Sequence, residues 1–297
     1  MTERNLLPVG FYDSYGDKAK QIYRVTSQII DYLLENDFEL FVPSPVEYEA
    51  VSSSSKDQKF RVLDPLSDQI LTIRSDITSQ ASRALNYTDS DLVRICYSGV
   101  VLRLNIDKTN QARSLKQTGF EIMSKDSDLD IEKLAIEHLP SLINKMKLGS
   151  YSLVFSDIST QGLLAKLCQI PEAELSDLIA KNDFDGICNS SKNSDLRSIL
   201  SPKRIDFFKD KEYLDYDSDF VNYYDAIARI INKMPESLYD SFIFDPLNFS
   251  FSNYNCGSFF TIIHNKTGKV IVRGGEYEIR GWGKGYGASV YIEEIMA

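Results

Sequence analysis

The feature that most constrains the fold is a long run of strand-forming residues at 93–104. A second such run, at 118–123, follows after the polar stretch 105–114. Two β-prone runs with a polar connection predict a pair of antiparallel strands. Gln117 and Glu121 are four residues apart, so a strand would carry both side chains on one face. A sheet-bearing domain is therefore the first expectation.

Helical and strand patterns alternate along the rest of the chain. Apolar residues recur every three or four positions over 17–36 and predict an amphipathic helix. Further helices are predicted at 77–85 and 131–146, and further strands at 38–43, 59–63, 69–73, 151–155, 258–264 and 269–273. Strand patterns give way to short helical patterns over 156–245, which predicts a small helical insertion. The fold class is therefore α+β, with a mostly antiparallel sheet.

Composition limits the possible functions. The net charge of −10 argues against a protein that mainly grips the nucleic-acid backbone. No apolar stretch is long enough for a membrane span, and the N-terminus lacks the pattern of a signal peptide. The four cysteines are widely spaced, without a CxxC pair, and only two histidines are present, so a zinc site of the usual spacing is not expected. No metal or cofactor is predicted for the chain. Reduced thiols in a cytoplasmic protein are the simplest interpretation.

Familiar catalytic patterns are missing from the sequence. There is no GxSxG segment, and two histidines leave little material for a catalytic triad. The glycine-rich stretch 281–287 is neither a dinucleotide-binding motif nor a P-loop. It predicts a loop in which backbones approach closely or φ is positive.

The segment 74–78 places an acid and a hydroxyl at the junction of a predicted strand and a predicted helix. The carboxylate of Asp76 could bind an ammonium group, with help from Thr78. The alternative is that Asp76 or Ser75 simply caps the helix. The residues alone leave both interpretations open.

A second polar cluster consists of Arg103, Arg113, Gln117 and Glu121. Such a set on the floor of a sheet suits a zwitterionic or phosphate-bearing ligand. The alternative is a solvated sheet face or a structural network of ion pairs.

Taken in chain order, several segments resemble the catalytic core of class II aminoacyl-tRNA synthetases, and the histidyl-tRNA synthetase branch in particular. Residues 7–11 resemble the Leu-Pro-x-Gly opening of that branch, and residues 17–43 resemble motif 1, its dimer-forming helix and strand. Residues 74–78 resemble Arg-Pro-Glu-Gly-Thr, 97–121 resemble motif 2, 274–278 resemble Gly-Gly-Arg-Tyr-Asp, and 285–294 resemble motif 3. Arg103 stands sixteen residues before Gly119, as in motif 2 of the family.

The resemblance implies a class II synthetase-like antiparallel sheet flanked by helices. The synthetase-like core would occupy 1–155 and 246–297, and the helical insertion 156–245. No anticodon-binding domain is expected after the degenerate motif 3.

Three positions depart from a working synthetase. Asn105 replaces an acidic residue of motif 2, Glu294 replaces the motif 3 arginine that holds ATP, and Ser250 falls near the arginine of the histidine loop. Cationic groups that would neutralise developing phosphate charge are thus missing. The resemblance therefore implies a chain that is not itself an enzyme and does not bind tRNA.

The same branch contains a non-catalytic group with these features, the regulatory subunits of ATP phosphoribosyltransferase. Their partner is the short-form catalytic subunit, which makes phosphoribosyl-ATP in the first step of histidine biosynthesis. The resemblance implies a homodimer within a hetero-oligomer, commonly an octamer, under allosteric feedback by histidine. Two other hypotheses stay open: a synthetase-like amino-acid ligase with a non-tRNA target, and a synthetase-like interaction protein with another partner.

The resemblance also assigns a possible histidine pocket. Asp76 and Thr78 match residues that hold the α-amino group, Gln117 and Glu121 match pocket residues of motif 2, and Tyr277 matches an aromatic beside the imidazole. Arg103 of motif 2 and Arg113 also belong to the set, and the counterpart of Arg113 lies near ATP in the synthetase. The last member is Tyr254, because Tyr254 or Asn255 aligns with the paired tyrosines of the family. The alternative is that these residues are relics that now serve the fold.

Overall fold

Two β-sheets and a set of mostly short helices make up the fold. The structure is a computed structural model, and it describes residues 7–49, 59–104, 112–181, 183–190, 196–216, 218–248 and 255–296. One sheet has eight strands and the other has three.

The large sheet is mostly antiparallel. Its strands, in spatial order, are β1 (Glu39–Leu40), β5 (Leu92–Leu102), β6 (Ser114–Ser124), β11 (Gly283–Tyr291), β10 (Lys269–Ile279), β9 (Asn255–His264), β7 (Tyr151–Asp157) and β8 (Phe242–Phe244). Only the outer pairs, β1 with β5 and β7 with β8, are parallel. The predicted pairing of 93–104 with 118–123 is confirmed, because β5 and β6 form a long antiparallel ladder.

The strands of the small sheet follow β1 and precede β5 in the sequence. It consists of β2 (Val46–Tyr48), β4 (Gln69–Ile73) and β3 (Phe60–Asp64), in that spatial order. The predicted hairpin is confirmed, since β3 and β4 are antiparallel. The Asp64 carboxylate accepts a hydrogen bond from Ser67 Oγ at 2.6 Å and from Leu66 N at 3.1 Å, which stabilises the turn between them.

Most of the helices pack against one side of the large sheet, and the short second helix, with Ala81, packs against the other side. The helices are α1 (Asp17–Leu34), α2 (Thr78–Ala81), α3 (Ile131–Ile136), α4 (Leu139–Met146), α5 (Gln161–Cys168), α6 (Glu172–Ala180), α7 (Phe184–Ser190), α8 (Leu196–Leu200), α9 (Ile205–Lys209), α10 (Ser218–Ile231) and α11 (Ile292–Ile295). The apolar stripe of α1 buries Ile29 and Leu33 against the sheet and α4. The fold-class prediction, an antiparallel sheet flanked by helices, is confirmed.

Three predicted elements differ from the structure: one strand is shorter, and two helices are interrupted. The strand predicted at 38–43 is reduced to Glu39–Leu40, since the chain leaves the sheet before Pro43. The helix predicted at 77–85 is one α-turn followed by a 3₁₀ segment at Ser82–Tyr87. The helix predicted at 131–146 is split into α3 and α4. Pro140 stands in the first turn of α4, where its missing N–H costs nothing.

The segment 156–245 holds helices α5 to α10, as predicted, but it also contains the strand β8. Phe242 and Phe244 of β8 are fully buried, and the strand pairs with β7 at the edge of the large sheet. Side chains of the helical segment share one apolar core with the sheet. The predicted boundaries at 155 and 245 stay a prediction.

The glycine-rich segment was expected to be a loop, and this is wrong for most of it. Gly283, Gly285 and Gly287 lie within β11, a central strand. A Cβ at position 285 would lie 2.2 Å from the Tyr277 ring, and a Cβ at position 287 would lie 1.8 Å from Glu121 Oε2. Close approach of neighbouring side chains therefore requires glycine here, although glycine disfavours strands. Within 281–287, positive φ occurs only at Gly281, in the turn between β10 and β11.

Candidate functional site

The candidate site lies on the face of the large sheet that carries Glu121, which we call the front face. Residues directly opposite each other on neighbouring strands share a face. Gln117 lies opposite Tyr291, and Gly119 lies between Tyr97 and Ser289. Strands β5, β6 and β11 therefore bring a group of polar side chains together on the front face.

Asp76 reaches this face from the segment between β4 and α2. Gln117 Nε2 donates to Asp76 Oδ1 at 2.6 Å, and Gln117 Oε1 accepts from the backbone N–H of Ile77 at 3.0 Å. The same Asp76 oxygen accepts from the backbone N–H of Thr78 at 3.2 Å. The Asp76 carboxylate therefore binds the first N–H of α2, although no side chain caps this helix at its N-cap, Ile77. Asp76 also joins the front-face network through Gln117, and the binding of an ammonium group stays a prediction.

Glu121 is fully buried at the centre of the site. Tyr97 OH donates to Glu121 Oε1 at 2.9 Å. Burial raises the pKa of this carboxyl from 4.5 to about 8. Hydrogen bonds from Thr78, Tyr97 and Tyr277 have the opposite effect and lower the pKa. The negative charge of Asp76 raises the pKa further. Near neutral pH the group can therefore either donate or accept a proton.

Two residues that sequence reasoning missed complete the network. Tyr97 OH lies 2.8 Å from Ser289 Oγ, and Ser289 Oγ accepts from Gln117 Nε2 at 2.5 Å. Burial, together with the nearby carboxylates of Glu121 and Asp76, raises the pKa of Tyr97 well above its ordinary value, so its hydroxyl keeps its proton. The two-residue period of β11 would identify Ser289 once that segment is recognised as a strand.

Arg103 lies at the edge of the front face and is engaged by Tyr291. Its Nη2 donates to Tyr291 OH at 2.9 Å, and the guanidinium carbon lies 4.9 Å from the centroid of the Tyr291 ring. Its Nε also donates to the Ser75 carbonyl at 3.4 Å. Tyr291 therefore occupies one face of the Arg103 guanidinium.

Arg113 does not join the pocket. Its guanidinium lies over the Phe60 ring, 4.8 Å from the centroid, and over the Phe11 ring at 5.4 Å. Its backbone N–H donates to the Gly10 carbonyl at 2.7 Å. It therefore holds residues 10–11 against the small sheet. Tyr254, Asn105 and Ser250 lie outside the described residues.

The acidic residues of α11 are tied to neighbouring elements. Glu294 is almost fully buried and forms an ion pair with Lys269 Nζ at 2.9 Å. Glu293 Oε2 accepts from the backbone N–H of Lys116 at 2.8 Å. These carboxylates anchor α11 to the starts of β10 and β6.

A separate cavity of about 700 Å³ lies on the side of the sheet opposite the front face. None of the predicted site residues that the structure describes lines it. Its buried carboxylates have partners within the chain: Glu132 is bound by Ser258 and, at 2.9 Å, by Lys233, while Glu276 pairs with Lys284 at 2.7 Å. Glu132 and Glu276 are thus paired with lysines of the chain, and Asp126, Asp157 and Glu278 also line the cavity.

The described part of the chain contains no cluster of three or more His, Cys, Asp or Glu side chains placed to hold a metal ion. No helix among the same residues combines the length and apolar character that crossing a membrane requires.

Known proteins resemble this chain over nearly its whole length. A family model described as histidyl-tRNA synthetase matches residues 10–295. An ATP phosphoribosyltransferase regulatory subunit of Acinetobacter baumannii (strain AYE) is 26% identical over 308 residues, covering 94% of this chain and 77% of the relative. The corresponding subunit of Gluconobacter oxydans (strain 621H) is 24% identical, covering 92% of this chain and 76% of the relative.

A solved structure shares the architecture. The ATP phosphoribosyltransferase regulatory subunit/histidyl-tRNA synthetase from Bacillus halodurans superposes with a TM-score of 0.80 at 16% identity, covering 99% of this chain and 83% of that chain. The likeness shows the class II synthetase fold. The family model matches nearly the whole length of the chain. The chain therefore belongs to the histidyl-tRNA synthetase family.

Proposed function

We propose that the chain is a regulatory subunit of a short-form ATP phosphoribosyltransferase, acting in the first step of histidine biosynthesis, and that it is not itself catalytic. The observation that carries this proposal is the asymmetry of the front face. Asp76, Gln117 and Glu121 belong to one assembled polar network, whereas Arg103 donates to Tyr291. The curated relatives that match nearly the whole chain are named as such regulatory subunits.

Histidine fits the chemistry of the pocket. The Asp76 carboxylate suits an α-ammonium group, because charge-assisted hydrogen bonds are about twice as strong as neutral ones. Glu121, with a pKa of about 8, suits an imidazole. The carboxyl can donate its proton to the neutral ring, or as a carboxylate it can pair with the imidazolium.

The other half of the front face argues against amino-acid activation. Adenylation requires cationic groups placed where phosphate charge develops. Arg103 already donates to Tyr291, and position 294 carries a buried glutamate paired with Lys269. This arrangement supports a chain that binds an amino acid without activating it.

A second copy of the chain is the proposed partner at the edge formed by β1 and the small sheet. Exposed apolar side chains gather here, among them Leu40, Val42, Leu63 and Ile70. The two-residue strand β1 also leaves one edge of the large sheet uncovered within the described part of the chain. Apolar side chains on an unprotected edge favour a symmetric dimer.

The test mixes the purified chain with the short-form catalytic subunit from the same source and measures phosphoribosyl-ATP formation with and without histidine. We expect co-elution, a large rate increase and its reversal by histidine. Asp76→Asn should keep the activation and lose the reversal, while exposed Asp89→Asn serves as the matched control. If the two proteins elute separately and the rate is unchanged, the regulatory role is wrong.

A further inference from the structure

The hydroxyl of Tyr97 lies at the centre of the front-face network. It contacts Glu121 Oε1 at 2.9 Å, Ser289 Oγ at 2.8 Å and Thr78 Oγ1 at 3.3 Å. These three partners come from β6, from β11 and from the start of α2. One side chain on β5 therefore joins all the elements that supply the pocket.

The packing around Tyr97 leaves little freedom to its ring. Tyr97 is fully buried and Ser289 is 5% exposed. Gly119, directly opposite Tyr97 on β6, leaves space for the hydroxyl, since a Cβ at position 119 would lie 3.0 Å from it. A phenol fixed in this way presents its hydroxyl at a defined point between β6 and β11.

The donors and acceptors of the network have one consistent order. Tyr97 gives its single proton to Glu121, so the contact between Tyr97 and Ser289 must use the proton of Ser289. Ser289 Oγ in turn accepts from the Gln117 amide, whose nitrogen also donates to Asp76. The direction of donation therefore runs from Gln117 through Ser289 and Tyr97 to Glu121.

We propose that Tyr97 and Ser289 are the positioning residues of the pocket: Tyr97 orients the carboxyl of Glu121, and Ser289 orients the amide of Gln117. The two residues connect the Asp76 end of the pocket with the Glu121 end. This inference rests on the proposed amino-acid pocket but assigns roles to residues that the resemblance to synthetases does not.

The two positions have separable consequences. Removal of the Tyr97 hydroxyl deprives Glu121 of a hydrogen bond that lowers its pKa, so that pKa rises further. Removal of the Ser289 hydroxyl frees the Gln117 amide but leaves the bond from Tyr97 to Glu121 in place. A merely structural role would predict lost stability in both variants and no specific change in the titration of Glu121.

The experiment compares Tyr97→Phe, Ser289→Ala and the control Tyr23→Phe, a change at an exposed tyrosine. The titration midpoint of Glu121 is measured in the ligand-free proteins by carbon-13 NMR of labelled glutamate, with Glu121→Gln to assign the signal. Histidine affinity is measured by calorimetry between pH 6 and pH 9. Thermal unfolding confirms that each variant is folded.

We expect Tyr97→Phe to raise the Glu121 midpoint and to weaken histidine binding about tenfold. Ser289→Ala should weaken binding to a similar extent without moving the midpoint. An unchanged midpoint in Tyr97→Phe, or equal shifts in both variants, overturns the assignment. If the wild-type chain does not bind histidine at all, the proposed ligand is wrong, while the NMR midpoints still decide the positioning roles.

Discussion

The two halves of the front face differ in the partners that hold their charged groups. In the half around Glu121, neutral donors reach the carboxylates: Gln117 donates to Asp76, and Tyr97 donates to Glu121. In the half around Arg103, the guanidinium donates to Tyr291 OH and lies over the Tyr291 ring. Neutral donors orient a carboxylate without cancelling its charge, so under the proposed function Asp76 supplies the attraction for a cationic ligand group, while Glu121, with a pKa of about 8, is mostly protonated near pH 7.

The proposed function uses this difference to separate amino-acid binding from catalysis on one sheet. A family scaffold can keep an amino-acid pocket while the neighbouring region closes on its own side chains. Function then follows from the site and not from the fold. Four predictions, from the largest effect to the smallest, test whether the halves are independent.

The largest effect is expected for Glu121→Gln, in the dependence of stability on pH. The folded-state pKa of Glu121 is about 8, against an ordinary value of 4.5. Between these values the folded protein keeps a proton that the unfolded chain has lost, so wild-type stability falls as pH rises through this window. Glutamine does not titrate. The stability of Glu121→Gln relative to wild type should therefore increase by roughly 3–5 kcal/mol from pH 5 to pH 9.

Urea unfolding of wild type and Glu121→Gln at both pH values measures this difference. Glu39→Gln, at an exposed glutamate on β1, is the matched control. Parallel pH profiles for wild type and Glu121→Gln would contradict a buried, protonated carboxyl in this half.

The next effect is expected for Gly287→Ala. The new Cβ would lie 1.8 Å from Glu121 Oε2 and 2.4 Å from the Phe120 carbonyl, so the strands or the carboxyl must move. Overpacking of this kind costs about 1–3 kcal/mol. Chemical unfolding should show this loss together with loss of histidine binding. Gly149→Ala, where a Cβ meets nothing within 4 Å, should leave both unchanged.

Asp76→Asn tests the charge at the other end of the same half. A neutral amide would still fit the site, but it removes the charge that attracts an ammonium group. Hydrogen bonds to charged groups contribute about 1.5–3 kcal/mol, so histidine should bind at least about tenfold more weakly. Calorimetry measures the change against Asp89→Asn. Unaltered affinity would place the amino group elsewhere.

The smallest effect is expected for Tyr291→Phe, in the other half. The change removes the bond to Arg103 Nη2 and keeps the ring beneath the guanidinium. Stability should fall by about 0.5–1 kcal/mol, the usual net contribution of a hydrogen bond. Histidine affinity should stay at the wild-type value. A tenfold loss of affinity would show that the two halves act as one site.

The sequence predicts the parts of this site that depend on local periodicity. Gln117 and Glu121 share a face because side chains alternate along a strand, and the β5–β6 pairing follows from two long β-prone runs. Asp76 and Thr78 lie about forty residues earlier, so only the family resemblance places them in the same pocket.

Other parts depend on contacts that no local pattern encodes. Ser289 and Tyr291 enter the site through the register of β11, and the glycines of that strand predict a loop from their intrinsic preferences. Packing against Glu121 and Tyr277 overrides those preferences. Arg113 fails as a pocket residue because its side chain binds the aromatic rings of Phe11 and Phe60 instead.

The most direct test of the asymmetry is calorimetric titration of the purified chain with histidine and, separately, with ATP and magnesium. The asymmetric front face predicts saturable binding of histidine and no binding of ATP at millimolar concentration. Binding of ATP, or release of pyrophosphate when ATP and an amino acid are combined, would contradict it.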